Sequence, residues 1–287
     1  LQASLFGAGR QVEQLHWGGG TPTFISRDQM SELMDNTRRW FDLAADDVGE
    51  YSIEIDPREA DAGSVALLRR LGFNRMSLGV QDFDPKVQKA VNRIQSEAET
   101  LAVLEAARAE GFRSISIDLI YGLPHQTVAG FERTLERVVD FAPDRLSVFN
   151  YAHLPKRFMP QRRIDETDLP APQVKLDILQ ATGQRLGEAG YVYIGMDHFA
   201  RPDDELASIG KVDNTYAQNR RTLDEYYADI DAGRLAVFRG IELSRDDEIR
   251  RDVITRVICN FFLDYADVER AWGIDFGSYF ADALPRL

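Results

Sequence analysis

Six short apolar or alternating runs recur along the chain with helical spacing between them, and no other feature restricts the fold so tightly. The runs are QVEQLHW (11–17), YSIEID (51–56), NRMSLGV (74–80), SISIDLIYG (114–122), DRLSVFNY (144–151) and YVYIGMD (191–197). Each has the length and the β-branched or aromatic content of a strand. The segments between them carry helix-start signals: Ser26 before RDQMSELMDNTRRWF, Ser96 before EAETLAVLEAARAEGF and Thr127 before VAGFERTLERVVDF. Repeated strand and helix units predict an α/β fold with a parallel sheet, because a parallel return needs a crossover long enough to hold a helix. Periodicity leaves a barrel and an open doubly wound sheet both allowed.

The strand ends narrow the reading further. In barrel enzymes the working groups sit at the carboxyl ends of the strands, on one shared face. Here Gly18, Gly19 and Gly20 follow the first run, Glu54 and Asp56 close the second, and Gln81 and Asp82 the third. Asp118 falls within the fourth, Asn150 and Tyr151 end the fifth, and Asp197 and His198 the sixth. Convergence on one mouth is expected. The competing reading of any one of these is a helix cap or turn former.

Composition and missing motifs exclude several chemistries. At 44% hydrophobic and 10% aromatic over 287 residues, the chain can bury one large core or two smaller ones. No run reaches the eighteen apolar residues of a membrane span and the start lacks signal-peptide features, so a cytoplasmic location is expected. A net charge of −13 disfavours nucleic acid as a partner. GGGTPTF has no lysine at phosphate-loop spacing, no GxGxxG follows a strand, and no GxSxG occurs. His16, His125, His153 and His198 show no paired spacing, and Cys259, the single cysteine, lies in apolar VICNFFLDY. A multi-thiolate metal site cannot be built from one cysteine.

LHWGGGTPTF, SIEIDPRE, RMSLGVQDFD, VNRIQS, IDLIYGLPHQT, DRLSVFNYAHLP and GMDHFARPDDEL together resemble the oxygen-independent coproporphyrinogen III oxidases, radical S-adenosylmethionine enzymes of haem biosynthesis. The resemblance spans nearly the whole chain; GGGTPT alone is shared with related haem chaperones, whereas NYAHLP and MDHFARPDDEL are more specific. It implies a partial (β/α)6 barrel over residues 1–207 and a smaller, mostly helical domain over 208–287. It also implies a 4Fe-4S cluster and two molecules of S-adenosyl-L-methionine, with Gly19, Gly20, Thr21, Glu54, Gln81, Arg93, Asp118, Ala152 and Ile209 matching cofactor contacts. The implied reaction is decarboxylation of two propionates of coproporphyrinogen III to vinyl groups, through a 5′-deoxyadenosyl radical. Its implied partners are that tetrapyrrole and a one-electron donor such as a flavodoxin or ferredoxin, with no membrane partner and a monomeric chain.

Two departures from the family pattern accompany the resemblance. The cysteines that hold the family's cluster, in C-x-x-x-C-x-x-C, are not in this chain, and a first strand with its cluster loop is expected upstream. A further stretch is expected between the equivalents of Ala207 and Ser208. Two other functions stay open at this point: a haem-binding chaperone of the same superfamily, and a cofactor-free hydrolase using Glu54 or Asp118 as general base. KRFMPQRRID, just past NYAHLP, sets Lys156, Arg157, Arg162 and Arg163 at a strand end, where they either meet propionates or form an ordinary solvated loop.

Overall fold

The computed structural model describes residues 11–45, 48–195, 197–202, 204, 215–219, 228–234, 237–260 and 263–281. The chain divides into a larger unit, Ala8–Tyr193 with Asp197–Ala207, and a smaller one made chiefly of Ser208–Leu287. Among the described residues no helix is long and apolar enough to cross a membrane.

The larger unit is built on parallel strands β2 (Gln14–Trp17), β4 (Glu50–Ile55), β5 (Arg75–Gln81), β6 (Ser114–Tyr121) and β7 (Arg145–Asn150), which neighbour one another in chain order. The short β1 (Gln11–Val12) and β3 (Asp42–Leu43) pair separately. The expected strand 11–17 is therefore broken at Glu13, whose carbonyl accepts from Glu50 N at 2.7 Å.

Helices α1 (Arg27–Trp40), α4 (Glu97–Ala109) and α5 (Val128–Phe141) begin at the expected Ser26, Ser96 and Thr127. Ser26 and Ser96 each accept from the third helical N–H while that residue's side chain returns to the cap N–H, which satisfies two orphan donors at once. Helices α2 (Ala62–Arg70), α3 (Pro85–Ala90) and α6 (Pro172–Glu188) complete the crossovers. Ile115, Ile117 and Leu119 on β6 are buried with Phe131, Leu135 and Val138 of α5. Strand alternation turns the intervening Ser116 and Asp118 to the opposite face.

The sixth strand departs from expectation. Residues 191–197 were expected to add one more parallel strand; instead β8 (Val192–Gly195) turns back into β9 (His198–Ala200), and β9 pairs antiparallel with β7. Asp197 adopts φ 63° at this turn, which explains why an apolar run ending in Gly-Met-Asp reverses instead of continuing.

The smaller unit pairs β10 (Thr215–Asn219) antiparallel with β11 (Val237–Glu242), followed by α7 (Arg245–Asn260), α8 (Tyr265–Trp272) and α9 (Phe276–Tyr279). Ile249, Val268, Phe276 and Phe280 form its own core, and Tyr265 stacks on Phe276 at 4.1 Å.

Asp82 does not join the mouth. It is 1% exposed and anchors the β5 end from within: Oδ2 accepts from Gln126 Nε2 at 2.6 Å, while Oδ1 accepts from Thr134 Oγ1 at 2.6 Å and Asp84 N at 2.8 Å. Gln126 cannot reverse its amide, because Oε1 already accepts from Leu123 N at 2.8 Å. Burial pushes the Asp82 carboxyl up. Asp82→Asn must aim its NH2 at Gln126 or at Asp84 N, and either choice sets donor against donor. A loss of about 1–3 kcal/mol at pH 7 is expected in urea unfolding; a change under about 0.5 kcal/mol would show that the acceptor pair does not matter.

Candidate functional site at the carboxyl edge of the sheet

Beyond β2 the backbone turns left-handed at Gly19 (φ 81°) and Gly20 (φ 62°). A Cβ at either residue would meet no protein atom within 4 Å, so both face open space. Gly18 is different: a Cβ there would lie 2.3 Å from His16 Nε2 and 2.9 Å from Glu54 Oε1. Glu54 Oε2 accepts from Gly19 N at 3.1 Å, and His16 stands 2.7 Å from Ser52 Oγ and 3.5 Å from Glu54 Oε1. The second strand thereby holds the glycine turn.

A cavity is lined by Gly20, Thr21, Pro22, Glu54, Ile55, Asp56, Ser77, Gly79, Gln81, Arg93 and Asp118. Asp118 sits opposite Gly79 and Ser147 in the ladder, and Ser77 Oγ donates to Asp118 Oδ2 at 2.6 Å. Burial pushes its carboxyl up; hydrogen bonds from Ser77 and Ser147 oppose that, and the nearby Glu54 charge adds to it. Burial makes a charge here costly, so a cation placed beside the carboxyl is favoured.

Arg93 reaches the same cavity from the turn after α3. Nη1 lies 3.2 Å from Asp56 Oδ2 and Nη2 donates to Gly79 O at 2.8 Å, while the buried Nε has no partner. Burial draws this guanidinium down from its ordinary value, with Asp56 acting against it. Burial alone would raise Asp56, but its bonds from Arg58 and the Arg93 charge outweigh that and hold it below the usual carboxylate range. Asp56 also caps the 57–59 turn by accepting from Arg58 N at 3.1 Å. The cap reading is therefore the right one for Asp56, alongside its pairing with Arg93. Gln81 takes φ 69° at a bulge where Gly79 and Gln81 occupy successive rungs against β6.

Six of the nine residues singled out in the sequence line this cavity: Gly20, Thr21, Glu54, Gln81, Arg93 and Asp118. Gly19 adjoins it through Glu54. Ala152 is not in the lining; it is exposed, two residues past β7, and its carbonyl accepts from Gln161 Nε2 at 3.1 Å. Ile209 lies outside the described residues. Sequence reasoning missed Ser77, Gly79 and Ser147. The period of two through Ser77, Gly79 and Gln81 was the available signal. A wider depression of about 670 Å³ borders Arg38–Ala45 and Tyr51, but it gathers no comparable set of carboxylates.

The donor set suits S-adenosylmethionine: carboxylates for its cationic ammonium and sulfonium, the Arg93 guanidinium for its carboxylate, and side-chain-free backbone at Gly19 and Gly20. It does not suit an iron–sulfur cluster. Cys259 is the single cysteine, and among the described residues no group of three His, Cys, Asp or Glu could hold a metal ion.

Gly19→Ala and Gly20→Ala should each cost about 1–2 kcal/mol, the penalty of a left-handed L-residue, without steric loss. Gly18→Ala should instead displace His16 and Glu54 and abolish the Glu54–Gly19 bond. Urea midpoints for the three variants test this, and a Gly19→Ala variant as stable as the parent would contradict the left-handed turn.

Residues 2–138 match the Radical SAM superfamily. The oxygen-independent coproporphyrinogen III oxidase of Pseudomonas aeruginosa is 52% identical over 96% of this chain and 66% of its own length. The Escherichia coli protein of that name is 50% identical over 100% of this chain and 68% of its own. The solved structure of the Escherichia coli enzyme, described as a radical SAM enzyme, superposes with a TM-score of 0.92 over 99% of this chain and 71% of that one. The chain thus spans about two thirds of the relatives it matches, and on these identities it belongs to the oxygen-independent coproporphyrinogen III oxidase family of the radical S-adenosylmethionine superfamily.

Proposed function

We propose that this protein serves in the oxygen-independent oxidative decarboxylation of coproporphyrinogen III to protoporphyrinogen IX, using S-adenosylmethionine at the carboxyl edge of the sheet. The observation that carries the reading is identity of about half to relatives of that name across nearly the whole chain. No feature of the described residues favours a haem chaperone or a hydrolase instead. When bound, S-adenosylmethionine supplies a 5′-deoxyadenosyl group able to remove a hydrogen atom from a propionate.

The chain's own residues bind and orient. Glu54 fixes the glycine turn through Gly19 N and leaves Oε1 beside His16, so its charge stays at the cavity. Asp118, locked by Ser77, offers a carboxylate to an ammonium or a ribose hydroxyl. Arg93 is held by Asp56 and Gly79 O, which fixes its guanidinium at the cavity lining, so pairing with a ligand carboxylate costs little further entropy. Thr21 and Gln81 add polar contacts from either side. The proposal includes two molecules of S-adenosylmethionine, a one-electron donor protein and a cytoplasmic setting.

Titration calorimetry with S-adenosylmethionine should show Arg93→Ala weaker by about 1.5–3 kcal/mol, roughly ten- to a hundredfold, and Gly20→Ala weaker than its stability loss explains. The pH dependence has a fixed sign. Burial raises the Asp118 carboxyl, so protons compete with a cationic ligand above the usual carboxylate range, and affinity must fall as pH is lowered through that region. Asp118→Asn should bind more weakly with a flatter profile. Parent-like affinities in folded variants would return these residues to structural duty. Anaerobic conversion of coproporphyrinogen III by the full-length protein tests the reaction itself, and haem binding without product would overturn it.

A further inference from the structure

The segment 151–169 follows β7 at the same edge of the sheet as the glycine turn. It contains Lys156, Arg157, Arg162 and Arg163, all exposed, within eight residues. Among the described residues no carboxylate pairs with any of the four; the contact found is Arg162 Nε donating to Pro155 O at 3.0 Å. Four such cations gathered within eight residues contrast with a chain of 47 acidic and 34 basic residues. Other exposed arginines of the larger unit do meet carboxylates, as Arg27 meets Asp61 at 2.6 Å and Arg137 meets Glu97 at 2.8 Å.

The segment is braced from beneath. Gln161 spans it, taking Leu154 N with Oε1 and giving Nε2 to Ala152 O. Tyr151 Oη meets His153 Nδ1 at 3.1 Å, and His153 Nε2 lies 3.4 Å from Glu166 Oε1. Asp168 O accepts from His125 N at 2.8 Å, which ties the far end to the β6–α5 connection. Such bracing fixes the backbone while leaving the cations unneutralised. Apolar side chains stand among them: Leu154 is 44%, Phe158 50% and Met159 69% exposed.

We propose that this segment anchors the tetrapyrrole, its arginines and lysine meeting propionate carboxylates and Leu154, Phe158 and Met159 lying against the apolar ring system. The assignment rests on the function proposed above and deepens it by placing the substrate. Guanidinium forks match carboxylates bidentately, and a local positive field on an acidic protein draws a tetra-anion to the edge where the cofactor cavity opens. An acidic partner protein would also be drawn to the charges, but it would not account for porphyrin binding in its absence.

The test uses coproporphyrin III, the oxidised tetracarboxylate, titrated into the protein without an electron donor and followed by porphyrin fluorescence anisotropy. Arg162→Ala with Arg163→Ala should weaken binding about tenfold at low ionic strength and less at 0.5 M salt, on the order of the screening expected. Arg162→Lys with Arg163→Lys should recover much of the loss, and the paired change to Glu should exceed it. Mesoporphyrin IX, with two carboxylates, should respond less. Parent-like affinity in the alanine and glutamate variants would overturn the anchor and leave the function standing; a parent protein that binds no coproporphyrin would overturn both.

Discussion

Everything at the candidate site depends on strands β4 to β7 running parallel in unbroken chain order. A parallel return forces each crossover to bring the chain back to the same starting edge, so every carboxyl end, with its turn, falls on the other edge. Residues separated by more than sixty positions, such as Glu54 and Asp118, line one cavity for that reason and no other. The antiparallel β9 ends the winding beside β7, and it brings His198 opposite Ser147, whose hydroxyl serves Asp118.

The second organising element is a redistribution of charge around Arg93. An arginine this deeply set costs desolvation, and Asp56 with Gly79 O offsets that cost. Asp56 is itself stabilised by Arg58 and the 57–59 turn, so a helix-capping device on β4 and a turn after α3 become one unit. The bulge at Gly79 and Gln81 belongs to the same unit: a side chain at Gly79 would fall 3.1 Å from Arg93 Nη2.

Much of this was legible in the sequence because it is local. Capping by Ser26, Ser96 and Thr127 depends on residues three apart, and the apolar periods of β4 to β7 report a buried sheet directly. The glycine run announced backbone exposure. What stayed hidden was nonlocal or conformational. Asp82 looks like any strand-end aspartate until Gln126 and Thr134 arrive from α5 and its preceding loop. Nothing in YVYIGMD distinguishes a parallel strand from a hairpin; the left-handed Asp197 decides it. Ser77 and Ser147 are small polar residues in strands, and only their shared neighbour Asp118 gives them a role.

The flanking of β6 on both sides has a kinetic consequence. Its amides are laddered to β5 and β7 over most of Ser114–Tyr121, beneath α5, so isotope exchange there waits on opening of the whole larger unit. Segment 151–169 has no ladder: its amides bond within short turns, as Phe158 N does to Leu154 O and Ile164 N to Gln161 O, so they exchange through local opening. A ligand that settles on that segment would thus leave its mark as slowed exchange against a centre that is already silent, and the two timescales would separate occupancy of the edge from stabilisation of the fold.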